Sequence, residues 1–259
     1  MSDVLLTNAG VLAVLMAALW ALSVVVRDAS IVDPFWGLGF AVVAWTSAGT
    51  AGSLGTESLL LVALTTVWGL RLAAYLSWRN LGKGEDFRYR AMRKRWGSRF
   101  TLVSLGTVFL LQGALLWVVS LPVQLGQDAG PGEGLGWLAG AGVAVWGVGL
   151  GFETVGDVQL ARFKAVAANA GRVLDTGLWR YTRHPNYFGD FCVWWGLFLV
   201  ALAFGAPWWT AVGPLLMSVL LLRVSGVALL ERSLSRRKPG YDEYVRRTSA
   251  FFPRPPRRR

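Results

Sequence analysis

The sequence predicts an all-α, polytopic integral membrane protein with seven transmembrane helices. Of the 259 residues, 54% are hydrophobic and only 16% are charged. Soluble globular domains have about a quarter of their residues charged, so this composition excludes a soluble protein and a disordered chain. Apolar runs that are each long enough to cross a bilayer, which takes about 20 residues, supply the third observation. A single cysteine, Cys192, excludes an internal disulfide.

The seven predicted spans follow one another with short connections. They are Val4–Val26, Ile31–Thr50, Ser58–Trp78, Thr101–Leu121, Leu135–Val155, Tyr187–Phe204 and Trp208–Leu230. We expect the first span to be a retained helix and not a cleaved signal, because it is preceded by Asp3 and by no Lys or Arg, and because it is long. Asp33-Pro34 opens the second span, and a stretch rich in Gly, Ser and Thr ends it.

Basic residues predict the orientation of the chain. Of the 26 Lys and Arg residues, eight lie in Arg79–Arg99, five in Arg162–Arg183 and ten in Arg232–Arg259. With seven spans these segments share one side of the membrane, and the positive-inside rule then predicts an outside N-terminus and a cytoplasmic C-terminus. Most of the net charge of +11 is therefore a topology signal. We expect no nucleic-acid partner, and we expect Arg254–Arg259 to contact anionic lipid head groups.

A few charged residues fall inside the spans or at their ends. Arg71 and Arg223 lie within the third and seventh spans, where a charge facing lipid costs about 3 to 10 or more kcal/mol. Three polar pairs are spaced by four or eight residues, so that each pair shares a helix face. They are Glu153 with Asp157, Asn186 with Asp190, and Arg223 with Glu231. Together they predict a polar pocket at the cytoplasmic ends of spans five to seven.

The segment before the sixth span supplies groups that suit a phosphate. It contains Arg180, Arg183 and the only histidine, His184, and a helix start is predicted at Pro185-Asn186. Cations and helix-start amides both favour an anion. A lone histidine in a basic loop is more often exposed than catalytic, and no metal site is predicted because His184 has no companion histidine or paired cysteines.

Nearly the whole chain also resembles a known family, most strongly over residues 153–253. The runs 153–164 (ETVGDVQLARFK), 177–190 (GLWRYTRHPNYFGD), 241–244 (YDEY) and 251–253 (FFP) are similar to those of bacterial members of the steroid 5-alpha-reductase family. The Arg-His-Pro-x-Tyr core is also similar to that of isoprenylcysteine and phospholipid methyltransferases, which use S-adenosylmethionine. The resemblance to the reductases implies seven transmembrane helices, bound NADPH and reduction of a carbon–carbon double bond conjugated to a ketone.

The resemblance, together with the polar groups described above, assigns two sets of site residues. The expected cofactor residues are Asp157, Lys164, Arg183, His184, Asn186, Tyr187, Asp190, Arg223, Glu231 and Tyr244. For the ketone-polarising pair of the family, a glutamate and a tyrosine, Asp33 is the best match for the glutamate. Trp68 stands at the position of the tyrosine and Tyr75 lies two turns further along, so the expected catalytic residues are Asp33 and Tyr75.

The expected function is NADPH-dependent reduction of an apolar enone, such as a 3-oxo-Δ4 steroid, by hydride transfer to the β-carbon. Asp33 would donate a hydrogen bond to the ketone only if protonated; otherwise it would orient Tyr75 or a water. The substrate would enter from lipid into a cavity among spans one to four, and the residues expected to line it are Trp20, Phe35, Trp36 and Trp68.

Two other functions stay open. One is a membrane methyltransferase that uses S-adenosylmethionine, and the other is a transporter or a non-catalytic membrane protein. We expect one membrane domain over residues 1–259, with residues 1–121 around the substrate and residues 135–259 around the cofactor. We further expect a monomer in a bacterial inner membrane.

Overall fold

A computed structural model describes residues 1–52, 55–128, 136–224 and 239–257. Within these ranges the chain is mostly helical and has no β-strand, which confirms the predicted all-α class. The helices are α1 (Ser2–Val26), α2 (Val32–Ala51), α3 (Thr56–Asn80), α4 (Phe87–Trp96), α5 (Phe100–Ser104), α6 (Leu111–Val119), α7 (Leu121–Asp128), α8 (Trp137–Ala165), α9 (Pro185–Ala203), α10 (Val212–Val219) and α11 (Tyr241–Arg247). A π-helical turn, Leu105–Leu110, joins α5 to α6, and a second one, Leu220–Val224, follows α10.

Six helical stretches in the described ranges are long and apolar enough to cross a membrane. They are Ser2–Val26, Ala29–Ala51, Thr56–Asn80, Phe87–Val119, Trp137–Ala165 and Pro185–Ala203. These match the first six predicted spans, so the chain is a multi-pass membrane protein. The seventh predicted span coincides with a shorter apolar helix, Trp208–Arg223, and residues 225–230 of that span lie outside the described ranges.

The fourth span begins earlier than predicted, because the basic segment before it is itself helical. Helix α4 begins where the Asp86 carboxylate accepts a hydrogen bond from the Arg88 N–H at 2.9 Å. Basic residues in its last turn suit the negative end of the helix dipole. The Asp86 cap therefore starts a helix in this basic segment, which was left out of the predicted fourth span because it is strongly charged.

The chain divides into two compact units. The first unit contains Met1–Ala139 and Val200–Gly213, and the second contains Gly140–Leu199 and Pro214–Arg259. The division near residue 139 lies close to the predicted one between substrate and cofactor helices. Residues 200–213, which we expected on the cofactor side, belong to the first unit.

In the first unit, α2 and α3 are in close contact through two glycines. A Cβ atom added to Gly37 would lie 2.1 Å from the carbonyl oxygen of Gly69, and one added to Gly69 would lie 2.3 Å from that of Gly37. Small residues at such positions let two membrane helices approach until their backbones touch. The contact fixes α2, and with it Asp33 in the first turn of α2.

The segment after α3 is tied to the turn before α2. The Glu85 carboxylate accepts hydrogen bonds from Arg93 at 2.7 and 3.0 Å and from the Ala29 N–H at 3.0 Å. Burial raises the pKa of the Glu85 carboxyl, but these hydrogen bonds outweigh burial and hold that pKa below its ordinary value. The Asp86 N–H also donates to the Ser30 hydroxyl at 2.6 Å. These bonds bring the start of α4 next to the start of α2.

In the second unit, α8 and α9 also pack through glycines. A Cβ atom added to Gly149 would lie 2.6 Å from the Gly189 carbonyl oxygen, and one added to Gly196 would lie 2.6 Å from the Trp146 nitrogen. About two turns beyond Gly149 on α8, a Cβ atom on Gly156 would lie 3.2 Å from the Asn186 nitrogen. The glycines therefore bring the polar end of α8 against the first turn of α9.

Candidate functional site

The first unit holds a polar cluster around Asp33, which we call the Asp33 cluster and define as Asp33, Trp36, Arg88, Tyr89 and Gln112. The Asp33 carboxylate accepts a hydrogen bond from the Arg88 guanidinium at 2.6 Å and one from the Tyr89 hydroxyl at 2.7 Å. The Asp33 side chain is 13% exposed, whereas that of Arg88 is 50% exposed. The cluster therefore has an inner side around Tyr89, which is buried, and an outer side at Arg88.

Gln112 connects Tyr89 to an aromatic side chain of α2. Its amide nitrogen donates to the Tyr89 hydroxyl oxygen at 3.3 Å, and its amide oxygen accepts from the Trp36 indole N–H at 2.5 Å. The hydrogen-bond chain from Trp36 through Gln112 and Tyr89 to Asp33 fixes the position of the phenol. Because Gln112 supplies a proton to the phenol oxygen, the hydroxyl proton of Tyr89 is the one directed at Asp33.

The two expected catalytic residues, Asp33 and Tyr75, have different neighbours in the structure. Within the described residues, Asp33 is hydrogen-bonded to Arg88 and Tyr89 and not to Tyr75. Both oxygens of the Asp33 carboxylate accept a hydrogen bond, and Asp33 forms an ion pair with Arg88. The Tyr75 ring instead lies 5.5 Å from the Arg71 guanidinium and 5.8 Å from that of Arg79.

The four aromatic residues expected around the substrate have different surroundings in the structure. Trp68 is fully buried and packs against Phe40, with ring centres 5.6 Å apart, as a core residue. The Trp20 indole N–H donates to the Thr101 carbonyl at 2.9 Å, and the Phe35 ring lies beside Gly39. Of the four, Trp36 is the residue that belongs to the Asp33 cluster.

An apolar cavity of about 310 Å³ lies elsewhere in the first unit, between α1 and the π-helical turn with α6. The residues that line it are Ala9, Leu12, Ala13, Met16, Leu110, Gly113, Ala114 and Trp117. Small side chains on both helices leave this space open. None of the four expected substrate residues lines it.

The second unit brings together several of the expected cofactor residues at the junction of α8 and α9. The Asn186 amide donates to the Asp157 carboxylate at 3.1 Å. Asp157 and Glu153, four residues apart on α8, are each 3% exposed. This hydrogen bond brings together Asp157 of α8 and Asn186 of α9, two of the expected cofactor residues.

His184 is buried, contrary to the expectation of an exposed histidine in a basic loop. It is 2% exposed, and its ring stacks on that of Tyr187, with centres 5.4 Å apart and planes 3° apart. The fold causes this burial, because the Thr182 hydroxyl, which accepts from the His184 N–H at 3.3 Å, itself donates to the Phe251 carbonyl. The chain around His184 is thus covered by the segment after α11.

Two expected cofactor residues bind main-chain carbonyls. The Arg183 guanidinium donates to the carbonyls of Val245 and Thr248 at 2.8 and 2.9 Å, at the end of α11. The Tyr244 hydroxyl donates to the Trp179 carbonyl at 2.5 Å, and Tyr244 is buried. These side chains hold α11 against the loop before α9, a structural role that the sequence interpretation did not include.

The remaining expected cofactor residues occupy different surroundings. Lys164 is exposed in the last turn of α8, and Asp190 is half-buried one turn beyond Asn186 on α9. Arg223 is exposed in the second π-helical turn, and Glu231 lies outside the described residues. No group of three or more His, Cys, Asp or Glu side chains that could hold a metal ion occurs in the described ranges.

The sequence interpretation missed Arg88, Tyr89 and Gln112. Arg88 and Tyr89 lie in a basic segment whose charge was used only for orientation. Gln112 could have indicated the cluster from the sequence. A glutamine inside an otherwise apolar span costs free energy unless its amide group has hydrogen-bond partners.

Comparisons with known proteins identify the family to which this chain belongs. The family described as "Protein of unknown function (DUF1295)" matches residues 19–248. The nickel-cobalt-cadmium resistance protein NccN of Alcaligenes xylosoxydans xylosoxydans is 29% identical over 118 residues, which are 46% of this chain. The match covers 53% of that relative, or about half its length. No solved structure matches the chain. Because the family match covers most of the chain, this multi-pass membrane protein belongs to the DUF1295 family, which is related to steroid 5-alpha-reductase-like membrane proteins.

Proposed function

We propose that this protein is an NADPH-dependent reductase of an apolar enone, such as a 3-oxo-Δ4 steroid or a similar lipid. The observation that carries the proposal is the hydrogen bond of 2.7 Å between the Tyr89 hydroxyl and the Asp33 carboxylate. An acid paired with a tyrosine is the ketone-polarising device that the family resemblance led us to expect. Here the tyrosine comes from the start of α4.

Reduction of an enone develops negative charge on the ketone oxygen, so a hydrogen-bond donor must already be in position. Tyr89 would serve as that donor by turning its hydroxyl proton from Asp33 to the ketone. The Gln112 amide, 3.3 Å from the phenol oxygen, and the Arg88 guanidinium, 5.3 Å from the ring centre, would stabilise the phenol as it gives up proton density. Asp33 would be a positioning residue that holds Arg88 and Tyr89.

The polar residues of the second unit provide a donor set that fits NADPH. The buried Asp157 carboxylate, with the Asn186 amide, offers acceptors and donors for ribose hydroxyls or a carboxamide. The Tyr187 ring, which stacks on the buried His184 ring, offers an aromatic surface. Lys164 is exposed in the last turn of α8, and its positive charge suits a phosphate. When bound, NADPH would supply the hydride for the β-carbon, and the resulting enolate would take a proton from water at its α-carbon to give the saturated ketone.

The methyltransferase alternative also has an observation in its favour. Glu153 and Asp157 place two nearly fully buried carboxylates on one face of α8, and carboxylates suit the cationic sulfonium of S-adenosylmethionine. The proton-donating phenol of the Asp33 cluster has no use in methyl transfer to a nucleophile. This difference makes the reductase the better-supported function.

Cofactor binding by the purified protein separates these functions. In detergent, we expect NADPH to raise the melting temperature, because a ligand present at a hundredfold excess over its Kd adds about 2.7 kcal/mol of stability. NADH should raise it less, and S-adenosylmethionine should leave it unchanged. A shift with S-adenosylmethionine alone would exclude the reductase, and no shift with any of them would favour a transporter or a non-catalytic protein.

We further propose seven spans, with an outside N-terminus and a cytoplasmic C-terminus, in a bacterial inner membrane. The apolar helix Trp208–Arg223 supports a seventh span, and the one-sided basic segments support the orientation. A monomer would suffice for this function, and the apolar substrate would enter from lipid.

Alkaline phosphatase fusions test the orientation. Phosphatase fused after Met1 should be active in the periplasm, and phosphatase fused after Arg259 should be inactive. The reverse result would overturn this topology.

A further inference from the structure

The segment after α11 is fixed to the body of the second unit by main-chain hydrogen bonds. The Arg254 N–H donates to the Tyr181 carbonyl at 3.0 Å, and the Arg257 N–H donates to the Arg247 carbonyl at 3.0 Å. Closer to α11, the Ser249 carbonyl accepts from the Arg183 N–H at 2.9 Å. Arg254 and Arg257 are therefore held on a backbone that is hydrogen-bonded to the rest of the second unit.

Two neighbouring cavities open between this segment, α11 and the turn before α9. Their volumes are about 550 and 300 Å³, and they share the lining residues Arg247, Thr248 and Arg257. We call the two together the arginine groove, because six arginines line it. They are Arg180, Arg183, Arg246, Arg247, Arg254 and Arg257.

Acidic groups neutralise only part of this charge. Asp175 lines the larger cavity, and its carboxylate lies 3.4 Å from Arg247, but both side chains are more than a third exposed. Glu243 lies 4.0 Å from the Nε atom of Arg247. Ion pairs with this exposure contribute at most about 1 kcal/mol. The groove thus keeps a clear excess of positive charge.

The arginine groove also has donors available for an anion. The Nε–H of Arg247 is buried and meets no hydrogen-bond acceptor in the described part of the chain. The side chains of Arg180, Arg254 and Arg257 are exposed. By contrast, Arg183 already donates to two carbonyls and so belongs to the scaffold of the groove. Like charges held together on a fixed backbone repel one another, and a bound anion removes that repulsion.

We propose that the arginine groove is a binding site for a phosphate group. Guanidinium groups match phosphate oxygens with two parallel hydrogen bonds, which an ammonium group cannot do. The phosphate could belong to a soluble phosphate compound or to the head group of an anionic lipid. The proposal rests on the groove alone and does not require the reductase activity.

Inorganic pyrophosphate is the probe for the soluble source. Calorimetric titration into the full chain in phosphatidylcholine nanodiscs should show saturable binding. Arg180→Gln and Arg257→Gln, which change exposed side chains, should each weaken Kd by about tenfold, the effect of losing one charge-assisted hydrogen bond. Arg99→Gln is the matched control, because Arg99 is an exposed arginine of the first unit and does not line the groove. It should leave Kd unchanged.

Phosphatidylglycerol tests the lipid source. Native mass spectrometry of the protein released from mixed phosphatidylcholine and phosphatidylglycerol nanodiscs should then show one retained phosphatidylglycerol, which Arg180→Gln and Arg257→Gln lose and Arg99→Gln keeps. Either result supports the site and identifies the source of the phosphate. The proposal is overturned if neither probe binds, or if both groove variants bind as well as the wild type.

Discussion

Replacement of Tyr89 by phenylalanine is expected to lower kcat for an enone by about 100- to 1,000-fold, as when one preorganised donor to a developing oxyanion is removed. The substitution removes the hydroxyl that now donates to Asp33 and would donate to the ketone. The ring stays, so the buried volume next to Gln112 hardly changes. Consumption of NADPH with a 3-oxo-Δ4 steroid measures kcat, and the NADPH-dependent melting shift shows whether the cofactor still binds.

Phenylalanine variants of two other tyrosines show whether the loss of activity is specific to Tyr89. Tyr181→Phe serves as the control, because Tyr181 is 43% exposed in the second unit, and it should keep full activity. Tyr75→Phe tests the tyrosine that the sequence alone favoured, and the structure predicts a smaller loss than for Tyr89→Phe. Unchanged kcat in Tyr89→Phe, or a larger loss in Tyr75→Phe, would remove Tyr89 from the mechanism.

Gly149→Ala is expected to destabilise the protein by about 1–3 kcal/mol, the usual effect of overpacking a close contact. The added Cβ atom would lie 2.6 Å from the Gly189 carbonyl oxygen and 2.6 Å from the Val193 nitrogen. These are main-chain atoms of α9, which cannot move aside unless α8 and α9 separate. Since the same two helices bring Asp157 to Asn186, the NADPH-dependent melting shift should also decrease.

Gly147→Ala, two residues away on the same helix, is the matched control. A Cβ atom at Gly147 would meet nothing within 4 Å. Alanine is a better helix former than glycine, so this change should leave stability unaltered or raise it by up to about 1 kcal/mol. Melting temperatures in one detergent compare the two variants. Equal effects at both positions would contradict the close packing of α8 on α9.

The helices that cross the membrane could be predicted because a bilayer imposes length and apolar composition on each span separately. The early start of the fourth helix could not, since it depends on the Asp86 cap of a strongly basic segment. The close contact of α2 with α3 at Gly37 and Gly69 could not be predicted from the sequence either. Glycines are common throughout the chain, and only the fold distinguishes those at contacts.

The sequence predicted the site residues that are related by their spacing along one helix. It did not predict the contacts between residues that are far apart in the sequence. Asp33 was expected to be a site residue, yet its partner Tyr89 lies 56 positions away in the sequence. His184 was expected to be exposed, because nothing local shows that the segment after α11 covers it. Likewise, local sequence gave no sign that Arg183 and Tyr244 would bind carbonyl groups.

Transfer of a deuterium label tests the reductase proposal most directly. The purified full chain is incubated with a 3-oxo-Δ4 steroid and with NADPH that carries two deuterium atoms at nicotinamide C4, and the product is analysed by mass spectrometry and NMR. We expect a saturated ketone with one deuterium at the former β-carbon, and a greatly reduced yield from Tyr89→Phe. Two results together would contradict the proposed function: this steroid and a panel of other apolar enones stay unreduced, and NADPH leaves the melting temperature of the protein unchanged.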